Sequence, residues 1–108
     1  MKQNHKPKRK FENPISLLTG GKAFLTQGVE IGEIGVSIKS DFIINQNSLV
    51  VVSFFMNAQN FFSIRGQVIN ITPVSNNSDR IYFINFDEMD LNVKRLIRNY
   101  VSNKVGLN

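Results

Sequence analysis

Two stretches of this chain combine residue types and spacings that could do chemistry. The first is the N-terminal run of Lys2, Lys6, Lys8, Arg9 and Lys10, five cations in ten residues with no carboxylate among them. Crowded ammonium and guanidinium groups make an anion clamp, which would order on a phosphate-bearing partner with salt-dependent affinity. The alternative is a solvated leader, because such a segment buries too little apolar area to offset its ordering entropy. The second stretch is residues 29–38. Apolar Val29 and Ile31 alternate with Glu30, Val36 and Ile38 alternate with Ser37, and Gly32-Glu33-Ile34-Gly35 separates the two runs. Alternation predicts strands, and the glycine-bounded interruption predicts a tight turn or bulge between them. Glycine there would permit a positive φ or let a ligand come close to the main chain.

Little else is equipped for catalysis. The single His5 lies in the basic run, cysteine is absent, and no Ser-His-Asp set is formed. The carboxylates are scattered at turns and at the start of the last element, where capping accounts for them. These features predict neither an enzyme nor a bound cofactor or metal. Arg65, beside Gly66, reads as part of a solvated strand face. Asn70-Ile71-Thr72 and Asn76-Asn77-Ser78 match the glycosylation pattern, which has no meaning in a cytoplasmic bacterial-type protein. The pairs Phe54-Phe55 and Phe61-Phe62 could form a stacking platform for nucleic acid. However, one member of each adjacent pair in a strand must point inward, and no cations are interleaved with them. Both pairs are therefore read as core and helix-packing residues, and nucleic acid is disfavoured as a partner.

The elements that must position these residues form one domain. At 108 residues the chain suits a single core, and 42% hydrophobic content with nine Phe can fill it. Five of the 13 cations lie in residues 1–10, which leaves eight cations against eight carboxylates in a neutral body. The longest apolar run, residues 49–56, is interrupted by Ser53 and is far too short to span a membrane. No apolar run follows the basic start as in a signal peptide, so a soluble cytoplasmic protein is expected. Residues 1–13 read as a basic, flexible tail and 14–104 as the domain. Strands are expected at 15–18, 22–31, 36–39, 49–56, 61–71 and 81–86. In the second, Ala23, Leu25, Val29 and Ile31 are expected on one face, with Thr26, Gly28 and Glu30 on the other. The continuous run 49–56 suggests a strand buried on both faces. A change of phase just after Gly66 suggests a bulge. Met89, Val93, Leu96, Ile97, Tyr100 and Val101 recur every three or four residues, which predicts an amphipathic helix at about 88–104, capped by Asp87 and stopped near Gly106. With no helices between strands, the sheet should be antiparallel and curl into a small barrel.

Taken together, the order of these pieces resembles a PilZ domain. Three carry the resemblance: Ile64–Ile71 (Ile-Arg-Gly-Gln-Val-Ile-Asn-Ile), Ile81–Phe86 (Ile-Tyr-Phe-Ile-Asn-Phe) and Arg95–Val101 (Arg-Leu-Ile-Arg-Asn-Tyr-Val), and the likeness runs from about Lys6 to Val101. It implies an all-β fold with one helix, a small six-stranded antiparallel barrel closed by a C-terminal α-helix. It also implies cyclic di-GMP as a possible regulatory ligand and two ligand motifs. An Arg-x-x-x-Arg motif would hold phosphates and stack on guanine, and an Asp/Asn-x-Ser-x-x-Gly motif would contact a guanine edge. Both are altered here. Lys6 and Lys10 stand at the arginine positions, with Arg9 as a spare. Glu30, Gly32 and Gly35 occupy the second motif, and only Gly35 matches it strictly. Lysine lacks the planar guanidinium fork and stacks poorly on bases. Two weakened clamps and one lost hydroxyl would remove about 3–5 kcal/mol, or two to four decades of affinity. The resemblance thus implies a regulatory or adaptor protein with a degenerate ligand site, acting on another protein of a motility, type IV pilus or signalling system. The alternatives are a genuine cyclic di-GMP receptor using the basic run and, in a different class, a small β-barrel nucleic-acid binder.

Overall fold

Apolar-polar alternation sets most of the architecture in the computed structural model, which describes residues 7–75 and 77–102. Seven strands precede one helix: β1 (Lys8–Lys10), β2 (Pro14–Thr19), β3 (Lys22–Gly32), β4 (Gly35–Ser40), β5 (Leu49–Asn57), β6 (Asn60–Pro73), β7 (Arg80–Phe86) and α1 (Leu91–Ser102). All pairings are antiparallel, in the order β1-β3-β2-β5-β6-β7-β4, and an added β3–β4 pairing closes β2 to β7 into a six-stranded barrel. β1 lies outside that closed set and extends the ladder along β3 beyond the end of β2. Gly20 and Gly21, with φ of +58° and +77°, form the tight hairpin between β2 and β3, where positive φ at both central residues matches the strand twist.

The basic segment is shorter as a tail than its composition predicts. Lys8–Lys10 form β1, and Phe11 is 1% exposed in the core, so the folded domain starts well before Pro14. Phe11 anchors the segment: its N–H donates to the Val29 carbonyl at 2.9 Å, and its ring meets Phe54 edge-on at 5.4 Å. The possible helix stop at Gly106 and the expected helix end at residue 104 lie outside the described residues.

Other departures from alternation have local causes. The β3–β4 register shifts between Gly28 and Glu30. This bulge adds a residue, and one added residue reverses which side chains face inward. Thr26 and Gly28 therefore point in and Leu25 points out, at 73% exposure, while Ile31 is fully buried. The β6 bulge lies between Val68 and Asn70, slightly beyond the position expected from Gly66; Ile69 faces outward, and after the bulge Ile71 rather than Asn70 packs against the core. β5 is buried on one face only: Val50, Val52, Phe54 and Met56 are inside, while Leu49 and Phe55 face outward. A closed barrel is a single layer, so each strand has one core face and one outer face.

The core is closed at one end by α1, whose Ile97 and Val101 are buried and whose Val93 and Tyr100 pack against the core cluster. The helix begins at Leu91, later than expected. The Asp90 carbonyl accepts the first helical bond, from Lys94 N–H at 3.0 Å, so Asp90 occupies the cap position expected for Asp87. The Asp87 N–H instead donates to the Arg65 carbonyl at 2.9 Å. Buried Tyr82 pins the loop between β4 and β5: its hydroxyl donates to the Phe42 carbonyl at 2.6 Å and accepts from Ile44 N–H at 3.1 Å.

Candidate functional site

The two chemically suggestive stretches become cross-strand neighbours. β1 pairs with β3 in the register Lys8–Gly32, Arg9–Ile31 and Lys10–Glu30. Residues directly opposite in a ladder share a face, so the exposed Lys10 stands opposite Glu30 and Lys8 lies over Gly32. On the far side of Glu30, its partner in β4 is Ser37. Pro7, Lys8, Glu30, Gly32, Gly35, Ser37 and Phe83 line a hollow of about 10 Å³, enough for about one water. Next to it, Lys8, Ile34, Ser37, Asn70, Thr72, Ile81 and Phe83 line a shallower depression of about 390 Å³ on the outside of the barrel.

Neither motif glycine has a positive φ. Glycine is required at 35, where neighbouring main chain passes too close for a side chain, and Gly32 is tightly flanked. A Cβ on Gly32 would lie 3.0 Å from the Pro7 carbonyl oxygen, and one on Gly35 only 2.2 Å from that of Ile84. The close approach expected of a ligand is made here by the protein's own strands.

Arg9 is placed apart from the other site residues. Strand alternation turns it to the opposite side of β1, toward α1. Its guanidinium carbon lies 3.9 Å from the centroid of the Tyr100 ring, and Nη1 donates to the Tyr100 carbonyl at 2.9 Å. The same ring meets Phe11 edge-on at 6.0 Å. A second link joins the turn between β3 and β4 to the helix: Arg98 Nε donates to Glu33 Oε2 at 2.6 Å. That hydrogen bond first, and the carboxylate charge second, raise the Arg98 guanidinium above its ordinary value.

Of the residues expected at the site, Lys10, Glu30, Gly32 and Gly35 gather on one face, Arg9 is diverted to the helix, and Lys6 lies outside the described residues. Lys8 was expected only as part of the basic run, and Ser37 and Phe83 were not among the expected residues. Lys8 and Ser37 had a usable signal, since each lies two positions from an expected residue and so shares its face in an extended strand. Phe83 had none, because only the β4–β7 pairing of Ser37 with Phe83 brings it there. Among the described residues, no group of three or more His, Cys, Asp or Glu is placed to hold a metal ion.

A family model described as PilZ domain matches residues 3–103. The chain belongs to the PilZ domain family. Solved structures show the same fold for this PilZ domain at low identity. The Bacillus subtilis inhibitor of motility MotI/DgrA matches with a TM-score of 0.85 at 7% identity, over 97% of this chain and 52% of that one. The K. pneumonia MrkH–c-di-GMP complex matches at 0.78 and 13% identity, over 97% and 53%. The PilZ domain of Escherichia coli YcgR with c-di-GMP matches at 0.75 and 9% identity, over 97% and 93%. The chain thus spans about half the length of the MotI/DgrA and MrkH chains. No match is found among the sequences of curated proteins. No helix among the described residues is long and apolar enough to cross a membrane.

Proposed function

We propose that this PilZ domain is a regulatory adaptor of bacterial cyclic di-GMP signalling, in motility, type IV pilus or surface behaviour. Its ligand site is degenerate, and it acts in the cytoplasm through contacts with another protein. The observation that carries this reading is the position of Arg9. The only arginine of the basic run is held on Tyr100 by a ring contact and a hydrogen bond. To reach a phosphate on the motif face it must release both, at a cost of about 1–2 kcal/mol. That is about a tenfold loss of affinity, on top of the serine replaced by Gly32 and the missing Arg-x-x-x-Arg pair. Lys8 and Lys10 attract a phosphate as point charges but do not clamp it in a plane.

Isothermal titration of the full chain with cyclic di-GMP at low and moderate salt tests this. The expected result is no saturable binding at low micromolar ligand. One or two ligands per chain bound in that range at both salt concentrations would overturn it. They would favour a second reading, a true cyclic di-GMP receptor. That reading is supported by Ser37, which brings a hydroxyl to the strand position beside Glu30, and by Lys8 and Lys10 on the same face. It requires Lys8→Ala and Lys10→Ala to abolish the binding.

A further inference from the structure

We infer that the hollow between the β3–β4 turn and the start of α1 is a docking groove for a basic, leucine-bearing segment of a partner protein. The inference rests on the adaptor reading and deepens it by naming the contact surface. The hollow has a volume of about 500 Å³, within the range of recognition pockets. Its apolar lining is Ile34, Phe86, Met89 and Leu91, of which Ile34 is 44% and Leu91 71% exposed. Its rim is acidic. In a chain of net charge +5, three of the eight carboxylates line it: Glu33, Asp87 and Glu88. Glu33 is engaged by Arg98. Among the described residues, Asp87 and Glu88 have no ion-pair partner, and Lys94 is the single cation lining the hollow.

Charge complementarity then selects the occupant. Phosphate-bearing and acidic partners are repelled by the rim, and a cationic segment is attracted and oriented by it. The apolar lining asks in addition for an apolar side chain to cover it. This chain's own basic run does not meet that need: apart from Met1 and Pro7 its first ten residues are all polar or charged, and Phe11 is buried in the core. The barrel is closed, so a partner cannot add a strand to the six-stranded set.

The test uses isotope-labelled full chain and two synthetic peptides, one of alternating leucine and arginine and one of alternating leucine and glutamate. The leucine–arginine peptide is expected to shift the backbone signals of Ile34, Phe86, Met89 and Leu91 in a saturable way. The double substitution Asp87→Lys with Glu88→Lys should weaken it at least about tenfold, and Leu91→Ser should weaken it without restoring binding of the acidic peptide. All three positions are exposed or rim residues, and thermal melting checks that each variant is folded. The inference is overturned by absence of binding at millimolar peptide, by signal changes elsewhere, by equal binding of the leucine–glutamate peptide, or by an unchanged affinity after charge reversal. A dimer of the chain itself that dissociates on Leu91→Ser would also overturn it, in favour of a second copy as occupant. Failure of the adaptor reading is separate: cyclic di-GMP would then bind at low micromolar whether or not the peptide does.

Discussion

The two ends of α1 are treated very differently. Toward its C-terminus the helix is gripped: Ile97 and Val101 are buried, and Tyr100 sits between the edge of Phe11 and the guanidinium of Arg9. At its start, Leu91 is largely exposed beside an acid-rimmed hollow. Both ends carry apolar side chains, yet only one has been covered by the barrel. The difference separates a part of the molecule devoted to stability from a part left available for contact. It also explains the fate of the basic run. Its arginine reinforces the gripped end, while Lys8 and Lys10 remain on the face of Glu30 and Gly32.

Substitutions can break or sharpen this contrast, and the largest effect belongs to the gripped end. Phe11→Ala removes the ring that touches both Phe54 and Tyr100, and should cost about 4 kcal/mol in urea unfolding. A loss below about 1 kcal/mol would show that the N-terminal segment is not part of the fold. Arg9→Ala should cost about 1–2 kcal/mol, and Arg9→Lys should recover only part of it, because lysine cannot both cover the ring and keep the guanidinium geometry. If Arg9→Lys restored full stability, the contact would be one of charge alone. Glu33→Gln should have a smaller effect, since Arg98 is well exposed, and the difference from the parent should vanish in about 1 M salt, where the screening length is about 3 Å. The Arg98 guanidinium is raised by Glu33 and stays charged well above neutral pH, so its own titration should not make the melting temperature vary near pH 7. At the open end, Leu91→Ser should change stability by no more than about 0.5 kcal/mol. A large loss there would mean that Leu91 is structural, and would remove the contrast.

Much of the barrel could be read from local pattern. Period-two alternation placed the strands, and the stripe from Val93 to Val101 identified the helix. These signals are local because they arise from backbone geometry and from side-chain spacing within one element. The errors fell where one residue changed the phase. Val29 in β3 and Ile69 in β6 lie at register shifts, and nothing in their types distinguishes them from regular strand residues. Phe55 and Phe61 were read as packing residues, and only their neighbours are buried. Their own rings meet at a tilt outside the barrel, with centroids 4.8 Å apart. Alternation allowed one inward residue per pair but did not say which outer rings the helix would cover.

The same division holds for the candidate site. The chain's residues alone suggested its chemistry: a basic run short of arginine and a stretch in which Gly32 is expected to stand in place of a hydroxyl. The tertiary structure decided which of those groups remain available. Arg9 is diverted to Tyr100, 91 positions away in the chain, and Lys8, Ser37 and Phe83 are brought together by three different strands. Residue types set what a group can bind, because charge and hydrogen-bonding capacity belong to the side chain. Which partner it meets depends on strand register and on the docking of the helix, and both are outcomes of packing between segments far apart in sequence.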